Sequence, residues 1–428
     1  MTTDVTERVA PTTRPVADSG IVAGLAGAVT CLLPFLVPAG PGNSAPADLV
    51  MCAAIGAAAL WAARTQLPLA FPYILGVSGL VLGGAFAATL SGAPATTIIV
   101  LVQDCLLFLW GVTLALGAHD SRIIGAVTTA WCRTAAVYAC VGVAAYLVGF
   151  SPLSGVTAAD GVRASYTFGD PNLAGNYLVT SLFVMAACRR PRSAWLRHLA
   201  YAMLLVAIAF TGSNGALLTV LLGGVIVLAA ARYRARGPLA GLLTLLASVC
   251  IAAILATYVN TTINADRIRA QAANSVPLLR DSVGRSGGSE SQRATILVEG
   301  YGLFLQGDGT GYGPGLTKAT LARTQAPYVK EAHNDYLAAL LERGVLGEIG
   351  LLLLGGAIVV RTRRLLVGDL PEEYAALLPR AWLLVAVAPV MALSATFYEV
   401  EHFRHLWTWL GLIAALALVL DRQEEADA

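Results

Sequence analysis

Charge is what this sequence has least of: only 13% of its 428 residues are charged, whereas 57% are hydrophobic. The mean hydropathy is +0.70. Typical soluble domains carry about 25% charged residues, which cover their surface. The shortage of charge therefore excludes a soluble domain of this length and predicts an all-α, polytopic membrane protein.

Signals of several other classes are also missing. The net charge of +2 gives no indication of a nucleic-acid partner. The seven cysteines fall within apolar segments without metal-ligand spacing, so we expect neither disulfides nor a cysteine metal site. The glycine-rich stretch 307–315 lacks the Lys-Ser/Thr ending of a nucleotide P-loop and predicts a tight turn instead. Residues 1–19 lack the basic region of a signal peptide, so we expect the first apolar segment to be retained.

What the sequence does contain is a series of long apolar segments. Crossing about 30 Å of hydrocarbon takes roughly 20 apolar residues in a helix. On this criterion the sequence predicts twelve transmembrane helices. They cover residues 20–39, 47–63, 67–90, 96–118, 123–150, 173–188, 195–211, 214–231, 238–259, 336–360, 378–397 and 403–420.

Three arginine clusters predict the orientation, because short loops rich in arginine are retained in the cytoplasm. The clusters follow the sixth, eighth and tenth predicted spans, so both termini are expected to be cytoplasmic. The polar segments 151–172, 260–335 and 398–402 then lie outside. The clusters are Arg189, Arg190, Arg192 and Arg197; Arg232, Arg234 and Arg236; and Arg361, Arg363 and Arg364.

The protein is expected in the cytoplasmic membrane, and these predictions divide its chain into five parts. A cytoplasmic tail covers residues 1–19, and spans one to nine cover 20–259. An external loop with the candidate catalytic elements covers 260–335, spans ten to twelve cover 336–420, and a cytoplasmic tail covers 421–428. Long loops escape the positive-inside rule, so the basic residues of 260–335 do not oppose this topology.

The external loop ends in a polar stretch, EAHNDY, that continues into the apolar helical segment LAALLERGVLG. Asn334 or Asp335 can cap this helix, because a short side-chain oxygen accepts from its first-turn N–H groups. The positive end of the helix dipole would then disfavour protonation of His333. A neutral imidazole at the membrane surface suits a general base. The alternative is that His333 only forms part of the helix cap.

Two further external groups have both a structural and a functional interpretation. Asp-Pro-Asn, ending at Asn172, is a typical turn and helix start, but Arg163 nine residues earlier makes a binding role possible. The stretch TGSNG, with Ser213 and Asn214, predicts a tight turn between two helices.

Three other positions complete the candidates. Arg293 opens a predicted short helix in the long loop; its planar guanidinium suits phosphate, although a solvated loop arginine is the alternative. The segment 398–405 adds carboxylates and histidines, without a recognised metal-ligand spacing. Asp104 is the one residue expected to carry charge deep in the membrane, either in a structural pair or at the edge of an active cavity.

Several of these motifs together resemble the O-antigen ligase and O-antigen polymerase superfamily. The segment from His333 to Leu337, followed by ERGVLG at 342–347, is similar to the signature of that superfamily. The Arg163 to Asn172 segment, the Ser213 turn, GYG at 311–313 and the twelve-span layout agree with it. The resemblance covers roughly residues 95–420.

The resemblance implies a metal-independent glycosyltransferase of cell-envelope polysaccharide biosynthesis that needs no cofactor. Its donor would be a polyprenyl-diphosphate-linked glycan in the membrane lipid, and its acceptor a hydroxyl of a glycan, lipid or protein. Nucleic acid is not an expected partner. Such an enzyme either ligates or polymerises glycans.

The resemblance also implies roles for individual residues. His333 matches the base, and Arg293, with Arg285 as a substitute, matches an arginine that holds the diphosphate. Asn214 stands where the superfamily often has a basic residue, so Arg163 or Arg404 would have to supply that charge. Supporting positions are Glu331, Asn334, Asp335, Tyr336, Asn172 and Ser213.

Two other classes remain open from the sequence. A transporter of small anions or lipid-linked glycans would be expected to have broken helices and polar groups near the midplane. Here the polar residues are expected to gather on one face. A scaffold protein would use the long polar loop as an interaction site.

Overall fold

The computed structural model describes residues 19–36, 44–92, 94–157, 162–258, 270–271 and 286–428. Within these ranges the chain is helical and contains no β-strand, which confirms the predicted all-α class. Two 3₁₀ segments, Leu116–Ala118 and Ala381–Ala386, adjoin α4 and α15. The helices are α1 (Gly20–Leu32), α2 (Pro46–Thr65), α3 (Ile74–Leu90), α4 (Pro94–Ala115), α5 (Ser121–Leu147), α6 (Ser151–Ser154), α7 (Pro171–Cys188), α8 (Ala194–Phe210), α9 (Asn214–Arg236), α10 (Pro238–Tyr258), α11 (Ser286–Gln306), α12 (Thr317–Arg323), α13 (Asp335–Val367), α14 (Glu372–Leu377), α15 (Val387–Ser394) and α16 (Arg404–Asp427).

Seven helices in the described part of the chain are long and apolar enough to cross a membrane: α2, α4, α5, α9, α10, α13 and α16. The apolar helices α1, α3 and α8, and the segment Ala381–Ser394, are shorter. Every predicted span overlaps a helical segment, but the number twelve and the orientation in the membrane stay predictions. The protein is a multi-pass helical membrane protein.

Helix α16 lies at the centre of the bundle, with 89% of its most apolar window buried. It is apolar on all sides over most of its length, as expected of a helix enclosed by others. The indole of Trp110 on α4 donates to the Thr408 hydroxyl at 2.9 Å, and the Tyr73 hydroxyl donates to the Leu410 carbonyl at 3.0 Å. This packing fixes the position of the second turn of α16.

Helices α3 and α13 cross in close contact through small residues. A methyl group added at Gly79 would lie 2.6 Å from the Gly350 Cα, and one at Gly83 would lie 2.6 Å from the Arg343 carbonyl oxygen. Small residues of this kind let helix backbones approach closely in membranes. The contact holds α13 against α3 at the level of Arg343.

Helix α13 is broken at Gly344, which corrects the prediction of one continuous helical segment there. Its φ of 67° and ψ of −166° are not helical, and the positive φ favours glycine. The glycine-rich stretch 307–315 packs against the break: Tyr312 N–H donates to the Leu341 carbonyl at 2.8 Å, and Val345 N–H donates to the Gly309 carbonyl at 3.0 Å. Backbone groups freed by the break therefore find partners in the loop.

Glu342, beside the break, holds the same loop through its carboxylate. The carboxylate accepts from Gly315 N–H at 2.7 Å, and from the N–H and hydroxyl of Thr317 at 3.2 and 2.6 Å. Glu342 and the break at Gly344 therefore join the loop 307–317 to helix α13.

The ends of the helices that carry the arginine clusters contact one another. Arg234 pairs with Asp369 at 2.5 Å, which joins the end of α9 to the segment after α13. Arg380 N–H donates to the Ala187 carbonyl at 3.0 Å, which joins the end of α7 to the segment before the 3₁₀ turn. The ends of α7 and α9 thus both meet the segment 369–380 that follows α13, and the membrane side that the three clusters face stays a prediction.

Candidate active site

The candidate site forms where the N-terminus of α13 meets the turn 395–403 between α15 and α16. Asn334 caps α13, its Oδ1 accepting from Leu337 N–H at 3.0 Å, which agrees with the capping role expected of it or of Asp335. The amide of Asn334 donates to the Thr396 carbonyl at 3.2 Å, and the Tyr336 hydroxyl donates to the Ala392 carbonyl at 3.2 Å. Both side chains therefore fasten the helix to α15 and the turn.

Asp335 fixes the same turn from inside. Its N–H donates to the Ala395 carbonyl at 2.8 Å, and its buried carboxylate accepts from Val400 N–H at 3.0 Å and Glu401 N–H at 3.4 Å. A buried carboxylate is stable only with such partners. The geometry makes Asp335 a supporting residue of the turn.

His333 lies directly before this cap, in an unusual backbone conformation. Its φ is 48°, in the left-handed region that side-chain-bearing residues seldom occupy. Its N–H donates to Glu399 Oε1 at 3.1 Å, and its ring centroid lies 5.6 Å from that of Tyr398. The Nε2 atom is buried and has no hydrogen-bond partner among the residues that the structure describes.

The surroundings of His333 favour its neutral form. Burial lowers the pKa of His333, and Lys330 and Arg293 lower it further, whereas Glu331 and Asp170 oppose them. The direction agrees with the expectation from the sequence. The cause differs, because burial and nearby cations act where the sequence suggested a helix dipole.

A cavity of about 310 Å³ lies beside the ring of His333. Part of its wall is apolar and comes from the residues after α1, from α7 and from the turn, and the rest carries ionisable groups. Burial and the Glu342 carboxylate raise the pKa of Glu399 to about 7. Burial lowers the pKa of His402. The neighbouring Asp104 outweighs this effect and raises the pKa to about 9. The lining residues are Leu33, Leu36, Leu173, Glu331, His333, Tyr398, Glu399, His402, Phe403, Arg404 and His405.

Arg293 lies in a second, smaller cavity that shares Tyr398 and Phe403 with the first. It is exposed on α11, and its charge is close enough to influence His333. Among the side chains that the structure describes, no carboxylate pairs with Arg293. Asn172 and Ser213 line the same small cavity, so the structure brings these three predicted residues together near His333.

The Arg163 side chain is engaged in a local network. Its Nε donates to the Thr211 carbonyl at 2.9 Å, and its Nη2 donates to Asn172 Oδ1 at 3.2 Å. The Ser213 hydroxyl donates to the same Oδ1 at 2.8 Å and also caps α9. Asp170 caps α7 by accepting from Asn172 N–H at 2.7 Å. The turn and helix-start interpretations of these segments are therefore confirmed.

The remaining predicted arginines differ in what the structure shows of them. Arg404 is 8% exposed and forms a bidentate pair with Asp48, with Nε–Oδ1 and Nη2–Oδ2 distances of 2.6 Å. Its charge is thus already balanced, although it lines the larger cavity. Arg285 lies outside the described residues. Asn214 begins α9 and is exposed, and Glu331 pairs with Lys318 at 3.3 Å at the surface.

Asp104 has a partner that the sequence did not reveal. Arg343, on the N-terminal side of the break in α13, lies 2.7 Å from Asp104 and 3.5 Å from Glu401. His402 Nδ1 lies 3.3 Å from the other oxygen of Asp104. The expectation that Asp104 is the one deep charge is therefore wrong, because Arg343 is equally buried. Through His402, this pair also reaches the edge of the larger cavity.

The contact of Glu399 with His333 was also missed. The two residues are 66 positions apart, and no spacing rule connects them. The only signal was the cluster of carboxylates and histidines at 398–405. Within the described residues, no group of three or more His, Cys, Asp or Glu is arranged to hold a metal ion.

Comparison with known families now adds to this geometry. Residues 199–352 match the family model described as O-Antigen ligase. The match supports the resemblance to the O-antigen ligase superfamily and suggests a membrane enzyme of the glycan-transferring kind. The matched segment contains Ser213, Arg293 and His333. No curated protein gives a significant match to the chain.

Proposed function

We propose that this protein is a glycosyltransferase that moves a glycan from a polyprenyl-diphosphate donor to an acceptor hydroxyl. The observation that carries the proposal is the His333 side chain: its residue lines the larger cavity, and its buried Nε2 has no partner among the described residues. A buried polar atom without a partner is unfavourable by about 1–3 kcal/mol. A substrate hydroxyl would satisfy it.

The reaction needs a base and charge stabilisation. The neutral imidazole of His333 takes the proton of the acceptor hydroxyl while its oxygen forms a bond to the anomeric carbon. The bond from that carbon to the diphosphate oxygen breaks, and polyprenyl diphosphate leaves as an anion. The guanidinium of Arg293 binds this anion through charge-assisted hydrogen bonds, which are strongest where charge develops.

The pairing of the other arginines narrows the choice of diphosphate ligand. Arg404 is balanced by Asp48, and Arg163 is bound within the turn network. Arg293 is therefore our principal diphosphate ligand, with Arg285 as a second. We also propose that the reaction is metal-independent, because arginines would neutralise the diphosphate in place of a divalent cation.

One observation favours the alternative function, a transporter: a broken helix, as at Gly344, and a buried ion pair, as between Asp104 and Arg343, are features that transporters also use.

A transferase and a transporter differ in whether the bond between glycan and diphosphate is broken. Purified protein in liposomes is given a labelled polyprenyl-diphosphate glycan and an acceptor glycan. We expect free polyprenyl diphosphate and a longer glycan. Movement of intact donor across the bilayer without cleavage would contradict a transferase.

We also propose that the site faces outwards, with both termini in the cytoplasm. Support comes from the arginine clusters at the ends of α7, α9 and α13, and from the site, which involves the opposite ends of these helices. Intact cells that express an Asp308→Cys or an Arg192→Cys variant are treated with an impermeant maleimide. Asp308→Cys should gain label over the parent protein. Gain of label at Arg192→Cys, with none at Asp308→Cys, would reverse the topology.

A further inference from the structure

We propose that Glu399 is a positioning residue for His333, acting through the hydrogen bond from the His333 backbone N–H to its carboxylate. The inference rests on the proposed function, in which His333 is the base. It names a role for a residue that does not itself meet the reacting atoms.

The backbone of His333 needs such support. A φ of 48° is disfavoured for a residue with a Cβ, and such conformations persist only where the surroundings hold them. On its C-terminal side, Asn334 is fixed as the cap of α13. At His333 itself, the contact that holds the peptide N–H is Glu399 Oε1 at 3.1 Å.

Glu399 is well placed to hold another residue because its own backbone is fixed. The next two residues, Val400 and Glu401, donate their N–H groups to the carboxylate of Asp335. The preceding residue, Tyr398, contacts the His333 ring at 5.6 Å between centroids. Two consecutive residues of the turn therefore fix the backbone and the ring of the same histidine.

The chemistry of the hydrogen bond between His333 N–H and Glu399 predicts which substitutions of Glu399 preserve its role. The bond to His333 N–H needs only an oxygen acceptor, which a carboxylate, a carboxylic acid and an amide all supply. Burial raises the pKa of Glu399 to about 7, so the group exists in both protonation states near neutrality. A positioning role therefore survives replacement by glutamine, whereas a role that needs the negative charge does not.

The kinetic test compares Glu399→Ala and Glu399→Gln in the liposome transfer assay. Displacement of a catalytic group by about 1 Å can lower a rate about 10²-fold, and we expect Glu399→Ala to lose kcat on this scale with little change in the donor KM. Glu399→Gln should restore most of the rate. The matched control is Thr396→Ala in the same turn, whose side chain bonds only to the local Leu393 carbonyl among the contacts described. It should transfer normally.

A second readout does not depend on glycan transfer. Diethyl pyrocarbonate acylates accessible neutral imidazoles, and the modified peptide containing His333 can be quantified by mass spectrometry. Modification should be slow in the parent protein and Glu399→Gln, and several-fold faster in Glu399→Ala. Should the alanine variant fail to fold, Glu399→Asp, whose carboxylate falls short of the His333 N–H, takes its place.

The outcomes separate this inference from the proposed function. Full kcat and slow modification in Glu399→Ala would overturn the positioning role while leaving His333 as the base. Equal loss in Glu399→Gln and Glu399→Ala would also overturn it, because the charge would then be what matters. Normal transfer by His333→Ala would remove the proposed base itself, whatever Glu399 does.

Discussion

Two sets of polar groups contact the turn 395–403, and they differ in how completely they are paired. On its inner side, Arg343 is 3% exposed and lies 2.7 Å from Asp104 and 3.5 Å from Glu401. On its cavity side, the buried His333 Nε2 has no hydrogen-bond partner among the described residues, and the exposed Arg293 forms no ion pair with a described carboxylate. The difference supports our proposals that the inner set stabilises the fold and that the outer set binds substrate.

The physical basis of this comparison is the penalty for unpaired polar groups in a low-dielectric interior. A buried charge that loses its partner destabilises a protein strongly, so buried ions are found in pairs. An isolated buried atom such as His333 Nε2 persists where the surroundings hold it in place. Such places are typically active sites.

The largest expected effect is on stability and comes from breaking the inner set. Arg343→Met keeps much of the side-chain volume but removes the guanidinium, so His402 remains as the cationic neighbour of Asp104 and the inner carboxylates are incompletely balanced. We expect a loss of about 3–5 kcal/mol, which would appear as aggregation or a much lower melting temperature in detergent. Arg363→Met, at an exposed site on the same helix, should change stability by no more than about 0.5 kcal/mol. Equal melting of both variants would show that the inner pair is dispensable.

The next effect is on donor use and comes from the outer set. Arg293→Ala removes charge-assisted hydrogen bonds of about 1.5–3 kcal/mol, so kcat/KM for the donor should fall about 10- to 100-fold. Arg293→Lys should lose less, because it keeps the charge but not the planar fork. Arg323→Ala, exposed on α12, is the control for loss of a loop arginine. Full donor use by both Arg293 variants would make Arg293 an ordinary surface residue.

The pH dependence of transfer sharpens the comparison further. A base must be neutral to accept a proton, and burial lowers the pKa of His333 from its usual 6.5. Transfer should therefore stay constant from pH 7 down to a midpoint below 6.5, and below that midpoint fall about tenfold per pH unit. A pH–rate profile in proteoliposomes measures this. A midpoint above 6.5 would contradict a buried, neutral histidine.

The sequence predicted the parts of this site that depend on local rules. Apolar segment length located the helices, and short polar residues located the caps at Asp170, Ser213 and Asn334. The sequence could not predict which residues pair in the folded protein. Arg343 and Asp104 are 239 positions apart, and the residues next to each of them do not identify the partner. The sequence did not predict the break at Gly344, because this glycine lies within an otherwise helical pattern. The backbone partners that the loop 307–315 supplies come from a distant part of the chain.

The smallest expected effect concerns the cap beside the histidine. Asn334→Ala removes the side-chain acceptor of Leu337 N–H, and loss of an N-cap costs about 1 kcal/mol. Transfer per folded molecule should fall only slightly, because Glu399 still holds the His333 N–H. Thermal melting and transfer are measured on the same sample. A loss of activity as large as that of Glu399→Ala would mean that the cap, and not Glu399, positions the histidine.

The most direct measurement is transfer per folded molecule in His333→Ala, with the exposed His198→Ala as control. Folded protein is quantified by size-exclusion chromatography, and transfer by release of polyprenyl diphosphate. General-base catalysis contributes about 10²–10⁴-fold, so His333→Ala should lose that much while folding normally, and His198→Ala should match the parent. Reduced folding with full transfer in the remaining molecules would contradict the account and leave His333 as part of a helix cap.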